Sequence, residues 1–185
     1  ESEVRFFLPT FGELGMTPEQ YAAYALSDGV IQPLLAVTEP GITPDNLRQR
    51  LAAELTTGKT VLSLTAAASS ADEAHQLATR WLQSFSEAVH AYVSRRVDQA
   101  LLEAEANLAA VRSGWTSIGE MLHMAPGIQE QPLGIVAAIA YGESYSAIIR
   151  EHARLRELKD SLADRIEPEI LLGPTLPHRP SSPRN

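Results

Sequence analysis

The chain has 185 residues, no cysteine and a formal net charge of −8. The lack of cysteine excludes disulfides, thiolate metal sites and thiol nucleophiles, and the acidic balance argues against non-specific binding of nucleic acid or anionic lipid. The apolar fraction of 44% is typical of a folded chain. No apolar stretch approaches the ~20 residues that span a bilayer. We therefore expect the chain itself to be soluble and any membrane anchor to lie outside it.

The chain opens with an extended segment followed by a capped helix. Glu3 to Leu8 favours a strand, which Pro9 ends. Thr17 is a good N-cap, Pro18 suits the first helical position, and Gln20 completes a capping box. The apolar stripe of this helix consists of Tyr21, Tyr24, Ala25, Ile31, Leu34 and Leu35.

A second Thr-Pro signal starts at Thr43-Pro44 and predicts a short helix. Its apolar positions are spaced by four residues: Leu47, Leu51 and Leu55. Gly58 is interpreted as the C-cap of this helix. Thr60 to Ala66 follows as a strand, because β-branched residues and alternating leucines favour one.

The longest periodic run begins after the capping box Ser70-Ala71-Asp72-Glu73 and keeps to steps of three and four until Gly114. At ~1.5 Å per residue this helix would reach roughly 60 Å, longer than a compact domain of this size. We therefore expect it to protrude and to need a partner. Leu133 to Ile166 is the predicted antiparallel partner, with the tip of the hairpin near Met121 to Pro132.

Pro168 ends the second long helix, Glu169 to Leu172 predicts a third strand, and residues 173–185 form a Pro-rich extended tail. The predicted fold is α/β (α+β), with a small mixed sheet and packed helices in a base and a long protruding antiparallel helical hairpin. The base comprises residues 1–70 and 167–172, and the hairpin comprises residues 71–166. Both termini are expected to leave the base at the end opposite the hairpin tip, as in a domain held between two membrane helices.

The order of these elements resembles the periplasmic domain of polysaccharide chain-length determinants (Wzz-type co-polymerases). The helix after the GKTVLSLTA strand carries the family's pattern of small and aromatic residues at Ala71, Ala74, Ala78, Trp81 and Phe85. The tail is similar to the Pro-rich segment that enters the family's second transmembrane helix. The positions that carry this likeness are Pro174, Pro177, Pro180, Ser182, Pro183 and Arg184.

The resemblance implies a bacterial inner-membrane protein whose domain faces the periplasm or cell exterior, with residues 1–172 as that domain and 173–185 as its linker to a transmembrane helix. Family members form closed homo-oligomeric rings that work with a polysaccharide polymerase on the growing glycan (O-antigen, capsule or exopolysaccharide) and set its chain length without catalysis. The alternative is a periplasmic helical-hairpin adaptor or structural coiled-coil protein of an envelope export system.

The sequence contains no motif that predicts a catalytic, cofactor-binding or metal-binding site. Thr57-Gly58-Lys59-Thr60 resembles the end of a phosphate loop, but Ala53 stands where the motif needs glycine, and a strand follows where it needs a helix. The five histidines are scattered without ligand spacing. Tyr141-Gly142-Glu143-Ser144-Tyr145 misses the nucleophile elbow. No cofactor, nucleic-acid partner or enzymatic activity is predicted.

Four residues are candidate contacts with a neighbouring subunit or with glycan: Arg95, Arg96, Trp115 and Arg154. For the arginines, the alternative is a solvated helix face with pairs such as Glu151–Arg154. For Trp115, near the hairpin turn, the alternatives are stacking on a sugar, contact with a partner, or capping of the hairpin. Trp81 and Phe85 are expected in the core, and His152 at the edge of the helix interface.

Overall fold

A computed structural model describes residues 1–38, 41–56, 58, 60–124, 132–162, 165 and 169–175. The strands are β1 (Ser2–Phe7), β2 (Leu51–Leu55), β3 (Val61–Ala66) and β4 (Ile170–Leu172). The helices are α1 (Pro18–Ala25), α2 (Asp28–Ala36), α3 (Pro44–Arg48), α4 (Ala71–Met124) and α5 (Pro132–Asp160), and a 3-10 turn spans Gly12–Leu14. The mixed α/β class predicted from the sequence is confirmed.

The sheet has the order β2-β3-β1-β4, and every neighbouring pair is antiparallel. The prediction of a mixed sheet was therefore wrong. Strand β2 was also missed; it forms a hairpin with β3 through a turn that contains Gly58 at φ +96°. Gly58 thus provides a positive-φ position between β2 and β3 and is not a helix C-cap.

The short helix predicted from Thr43 ends at Arg48, and Leu51 and Leu55 lie in β2. Its start is as predicted, since Thr43 Oγ1 accepts a hydrogen bond from the Asn46 amide. The other N-terminal signals are also confirmed: Thr17 with Gln20, and Ser70 with Glu73, form reciprocal capping boxes. The stripe expected on one helix after Thr17 is divided between α1 and α2.

Contacts divide the chain into two compact units: Glu1–Val93 with Ala163–Asn185, and Ser94–Leu162. We call them the sheet unit and the hairpin unit. The boundary lies within α4, whereas the whole helix was predicted to belong to the hairpin. Residues 71–93 belong to the sheet unit because Phe85 packs on Phe6 of β1 and Tyr21 of α1, at ring-centroid distances of 5.7 and 6.4 Å.

The core of the sheet unit forms where one face of the sheet meets α1, α2 and the start of α4. Alternate residues of β1 and β3 point inward, which is the two-residue period of a strand. Trp81, fully buried as predicted, donates its indole N–H to the carbonyl oxygen of Ala25 at 2.8 Å. The largest fully buried side chains in this core include Trp81, Tyr21, Phe6, Ile31, Leu34, Leu47, Leu62 and Leu64.

In the hairpin unit, α4 and α5 run antiparallel. Residues with increasing numbers on α4 contact residues with decreasing numbers on α5. Asp98 meets Lys159, Glu105 meets His152, and Trp115 meets Tyr141. α4 continues through Gly114 to Met124, beyond the end expected from the sequence. α5 ends at Asp160, earlier than expected, and the rest of the predicted tip (residues 125–131), Ile166 and Pro168 lie outside the described residues.

Candidate functional site

One flank of the hairpin unit carries ion pairs between the two helices at seven-residue steps. Lys159 Nζ lies 2.7 Å from Asp98 Oδ1. One heptad along α4, Glu105 Oε1 lies 3.5 Å from His152 Nε2 and 4.0 Å from an Arg156 nitrogen. Residues seven apart on a helix share a face, so Asp98 and Glu105 of α4 and Lys159 and His152 of α5 form one polar row. We call it the charge ladder.

The next heptad step breaks this pattern and opens a concavity. Arg112 stands on α4 seven residues after Glu105, and Tyr145 stands on α5 seven residues before His152. Both residues line a concavity of about 530 Å³, which we call the aromatic notch. Its lining consists of Val111, Arg112, Trp115, Thr116, Tyr141, Gly142 and Tyr145.

Three aromatic side chains give the notch its walls. Trp115 is 51% exposed, and the centroid of its ring lies 5.8 Å from that of Tyr141 at an interplanar angle of 38°. Tyr141 and Tyr145 are half-buried. Trp115 therefore contacts its partner helix through one part of the ring and leaves about half of its surface to solvent. This arrangement presents an apolar surface beside polar atoms, as aromatic side chains do in binding sites.

Gly114 determines how closely Tyr141 approaches α4. A Cβ atom built on Gly114 would overlap the Tyr141 hydroxyl, whereas a Cβ on Gly142 would meet nothing within 4 Å. Gly114 lies inside α4 and has no positive φ. The glycine is therefore needed because it lacks a side chain and not because of its backbone conformation. The absent side chain lets the tyrosine lie against the helix and form one wall of the notch.

Charge in the notch is supplied by Arg112. Among its lining residues there is no carboxylate, and within the described part of the chain no ion pair is present for Arg112. Each acid of the ladder, by contrast, has a cation across the helix pair. The notch therefore combines an unpaired guanidinium, aromatic faces and the Thr116 hydroxyl.

The structure does not bring the four predicted contact residues into one place. Arg95 and Arg96 are exposed on α4 and have interactions of their own within the chain. They lie about 19 to 20 residues from Trp115, roughly 30 Å along the helix. Arg154 is exposed on α5 and pairs with Glu151 at 3.4 Å, as the sequence predicted. Of the four, only Trp115 lines the notch.

Sequence reasoning missed Arg112, Thr116 and Tyr141 as site residues, and placed Tyr145 only in the helix stripe. A signal was present in the heptad spacing: positions 98, 105 and 112 on α4, and 159, 152 and 145 on α5. The change from acid to arginine at 112, and from lysine and histidine to tyrosine at 145, marks the site. This signal can be recognised only when the register of α4 against α5 is known, and the sequence alone does not give that register. His152 is at the interface edge as predicted, with its side chain 19% exposed.

In the sheet unit, the two ends of the described chain meet on one pair of strands. The Thr175 amide donates to the Glu3 carbonyl oxygen at 3.2 Å, and the Glu3 amide donates to Thr175 Oγ1 at 3.2 Å. Pro174, the first residue of the predicted membrane-proximal motif, is half-buried just before this contact. The other motif positions lie outside the described residues: Pro177, Pro180, Ser182, Pro183 and Arg184.

The Glu3 side chain is also held in place. Arg5 Nε donates to Glu3 Oε1 at 2.8 Å, and the Ser63 hydroxyl donates to the same oxygen across the β1–β3 pair. Hydrogen bonding by Arg5, then by Ser63, lowers the pKa of the Glu3 carboxyl below its ordinary value. The carboxylate therefore stays ionised and ties β1 to β3 on the face of the sheet that bears Arg5.

Among the described residues, no group of three His, Asp or Glu side chains is placed to hold a metal ion. No described helix has the length and apolar content needed to cross a bilayer. No protein-family model matches the chain, and no curated protein matches it.

Proposed function

We propose that the chain is the extracytoplasmic scaffold of a polysaccharide chain-length determinant, held at the bacterial inner membrane with its domain facing the periplasm or cell exterior. It acts without catalysis, as a homo-oligomer that sets the length of a surface glycan made by a separate polymerase. The observation that carries the proposal is the hydrogen-bonded pairing of Glu3 with Thr175.

The direction of the chain at this pairing supports attachment to one membrane through both ends of the chain. β1 and β4 are antiparallel, so the chain enters β1 and leaves β4 at the same end of the strand pair. Segments continuing before residue 1 and after residue 185 could then reach one bilayer together. A protein anchored by a helix at each end needs this arrangement.

Exposed apolar side chains on the hairpin unit support self-assembly. Leu102 is 67% exposed on α4, and Val136, Ile139 and Ile149 are 62%, 57% and 43% exposed on α5. Leaving several large aliphatic side chains on a pair of long helices is costly in water, at about 25 cal/mol for each Å² that a partner could cover. Side-by-side packing of copies in a ring would cover them.

The function is tested by deleting the gene in its source bacterium and resolving the surface polysaccharide by gel electrophoresis. We expect glycan to be made in similar amount, with its modal length replaced by a broad distribution, and the full-length gene to restore the mode. An unchanged length distribution contradicts the proposal. Loss of export with normal length control would favour the envelope-export adaptor instead.

Assembly is tested separately on the full-length protein in detergent, by sedimentation. Leu102→Glu replaces the most exposed of these apolar side chains by a charged one, and we expect it to reduce the assembly to smaller species. Ala153→Glu, which adds the same charge at an exposed position of α5 bearing only a methyl group, is the control. A strict monomer for the unmodified protein contradicts the ring.

A further inference from the structure

We propose that the aromatic notch binds a carboxylate-bearing pyranose of the glycan chain. The choice of a glycan as the ligand rests on the function proposed above. The choice of an acidic sugar, and of this place on the helix pair, rests on the charge ladder and on the residues that line the notch.

The charge ladder indicates that the ligand of the notch is anionic. Asp98 and Glu105 are each paired across the helices, by Lys159 and by His152 with Arg156. At the third heptad position a cation replaces the acid, and its counterpart across the pair is Tyr145. Arg112 is left as the charged group of the notch, in a chain whose net charge is −8. Guanidinium groups bind carboxylates through two parallel hydrogen bonds, so a carboxylate is a ligand that Arg112 is suited to pair.

The aromatic rings of the notch fit the shape of a sugar ring. A pyranose has an apolar face of C–H bonds and a rim of hydroxyl groups. The half-exposed face of Trp115 beside Tyr141 and Tyr145 fits the first. The Thr116 hydroxyl donates its own hydrogen to the Arg112 carbonyl oxygen at 3.1 Å, and its oxygen can accept a hydrogen bond from the second. The volume of about 530 Å³ lies within the usual range of small-ligand sites, roughly 300–1,000 Å³. One or two sugar rings of a longer chain could occupy it.

The competing occupant is an apolar side chain of a second copy, such as the exposed Leu102. Such a side chain would cover Arg112 without supplying hydrogen bonds. Removing an unpaired charge from water in this way is unfavourable. An acidic sugar both covers the rings and pairs the charge. The guanidinium of Arg112 therefore favours the sugar over an apolar side chain of a second copy.

The two tryptophans of the chain make the site observable. Trp81 is fully buried in the sheet unit, whereas Trp115 is half-exposed in the notch. Acrylamide therefore quenches Trp115 selectively. The probes are a tetrasaccharide of galacturonic acid and the same tetrasaccharide with its carboxylates methyl-esterified. We expect the acidic form to protect Trp115 from quenching and to bind at least about tenfold more tightly than the ester in calorimetry.

Substitutions locate the binding. Arg112→Gln is expected to weaken binding of the acidic tetrasaccharide at least about tenfold and to abolish its preference over the ester. Trp115→Ala, followed by calorimetry, is expected to weaken both forms. Arg150→Gln removes an exposed arginine of α5 that does not line the notch and should leave both affinities unchanged. Circular dichroism of each variant checks that the helices are intact.

Equal affinity for the two tetrasaccharides, or full affinity in Arg112→Gln, would overturn the proposal. So would protection of Trp115 that grows with protein concentration in the absence of sugar, because a second copy would then fill the notch. These measurements do not depend on glycan length in cells. Length control without acidic-sugar binding removes only the notch proposal, and binding without length control removes only the proposed function.

Discussion

Thr175 and Glu3 are joined by two hydrogen bonds of 3.2 Å, one to a backbone oxygen and one to the threonine hydroxyl. They lie 172 positions apart in the sequence. Thr175 thus holds the segment that follows β4 against β1.

Replacing Thr175 by valine keeps the shape and removes the hydroxyl acceptor of the Glu3 amide. We expect the free energy of unfolding in urea to fall by about 1 kcal/mol, because the amide loses a part-buried hydrogen bond. Thr10→Val, at an exposed position outside the strands, should change it by less than about 0.5 kcal/mol. Equal effects of the two substitutions would show that the pairing adds no stability.

The two tryptophans are expected to differ sharply in their contribution to stability. Trp81→Phe shrinks a fully buried side chain and leaves the Ala25 carbonyl without its indole donor. We expect a loss of about 2–4 kcal/mol from the cavity and the lost hydrogen bond together. Trp115→Phe should cost less than about 1 kcal/mol, since half of its surface is already in water. Chemical unfolding followed by circular dichroism measures both.

Gly114 and Gly142 form a matched pair of helical glycines. Gly142→Ala enters open space and should stabilise the protein by about 0.5–1 kcal/mol through helix propensity. Gly114→Ala should lose this gain, because its methyl group must displace the Tyr141 side chain, and the emission of Trp115 should shift as the ring pair separates.

A double-mutant cycle isolates that contact. In a Tyr141→Ala background, Gly114→Ala should recover the stabilisation seen for Gly142→Ala. Identical effects of the two glycine substitutions in the unmodified protein would mean that Tyr141 does not rest against Gly114 in solution.

Stability is expected to depend on pH through Glu3. Its folded-state pKa is lowered, first by the hydrogen bond from Arg5 and then by that from Ser63. A lowered pKa contributes stability that is complete above the unfolded-state value, about 4.3, and is lost as pH falls through the folded-state value. Unfolding free energies measured from pH 6 downward should therefore decline below about 4.3.

Glu3→Gln is the matched variant, and its decline should be shallower. The pKa of Glu73 is also lowered, chiefly by the Ser69 hydroxyl, so some decline persists in the variant. The difference between the pH profiles of the two proteins measures the contribution of the Glu3 carboxyl to the unfolding free energy. Parallel profiles would indicate that the Arg5 and Ser63 contacts do not favour the ionised carboxyl.

Helix starts were predictable because their signals are local. Thr17, Thr43 and Ser70 each accept from the amide three residues on, as the sequence patterns indicated. Strand β2 was missed because Leu51 and Leu55 are four apart, a spacing that keeps side chains on one side in both a helix and a strand. Pairing with β3 decides between the two, and that pairing is a tertiary contact.

The notch illustrates the same limit. Trp115 could be selected because an aromatic side chain stands out near the expected turn. Arg112 and Tyr145 gain their meaning only from the register of α4 against α5, which sets which residues face each other. The Gly114–Tyr141 contact depends on that register too, since the glycine read locally predicts only the end of a helix.

The position of β4 in the sheet has a consequence for biosynthesis. β1 lies between β3, completed by residue 66, and β4, completed only at residue 172. At about 5–20 residues per second, ribosomes need roughly 5–20 s to make the intervening chain. During that interval one side of β1 presents unsatisfied amides and carbonyls, which invite pairing with other nascent chains. Chaperone binding to the first strand would be most valuable in that period.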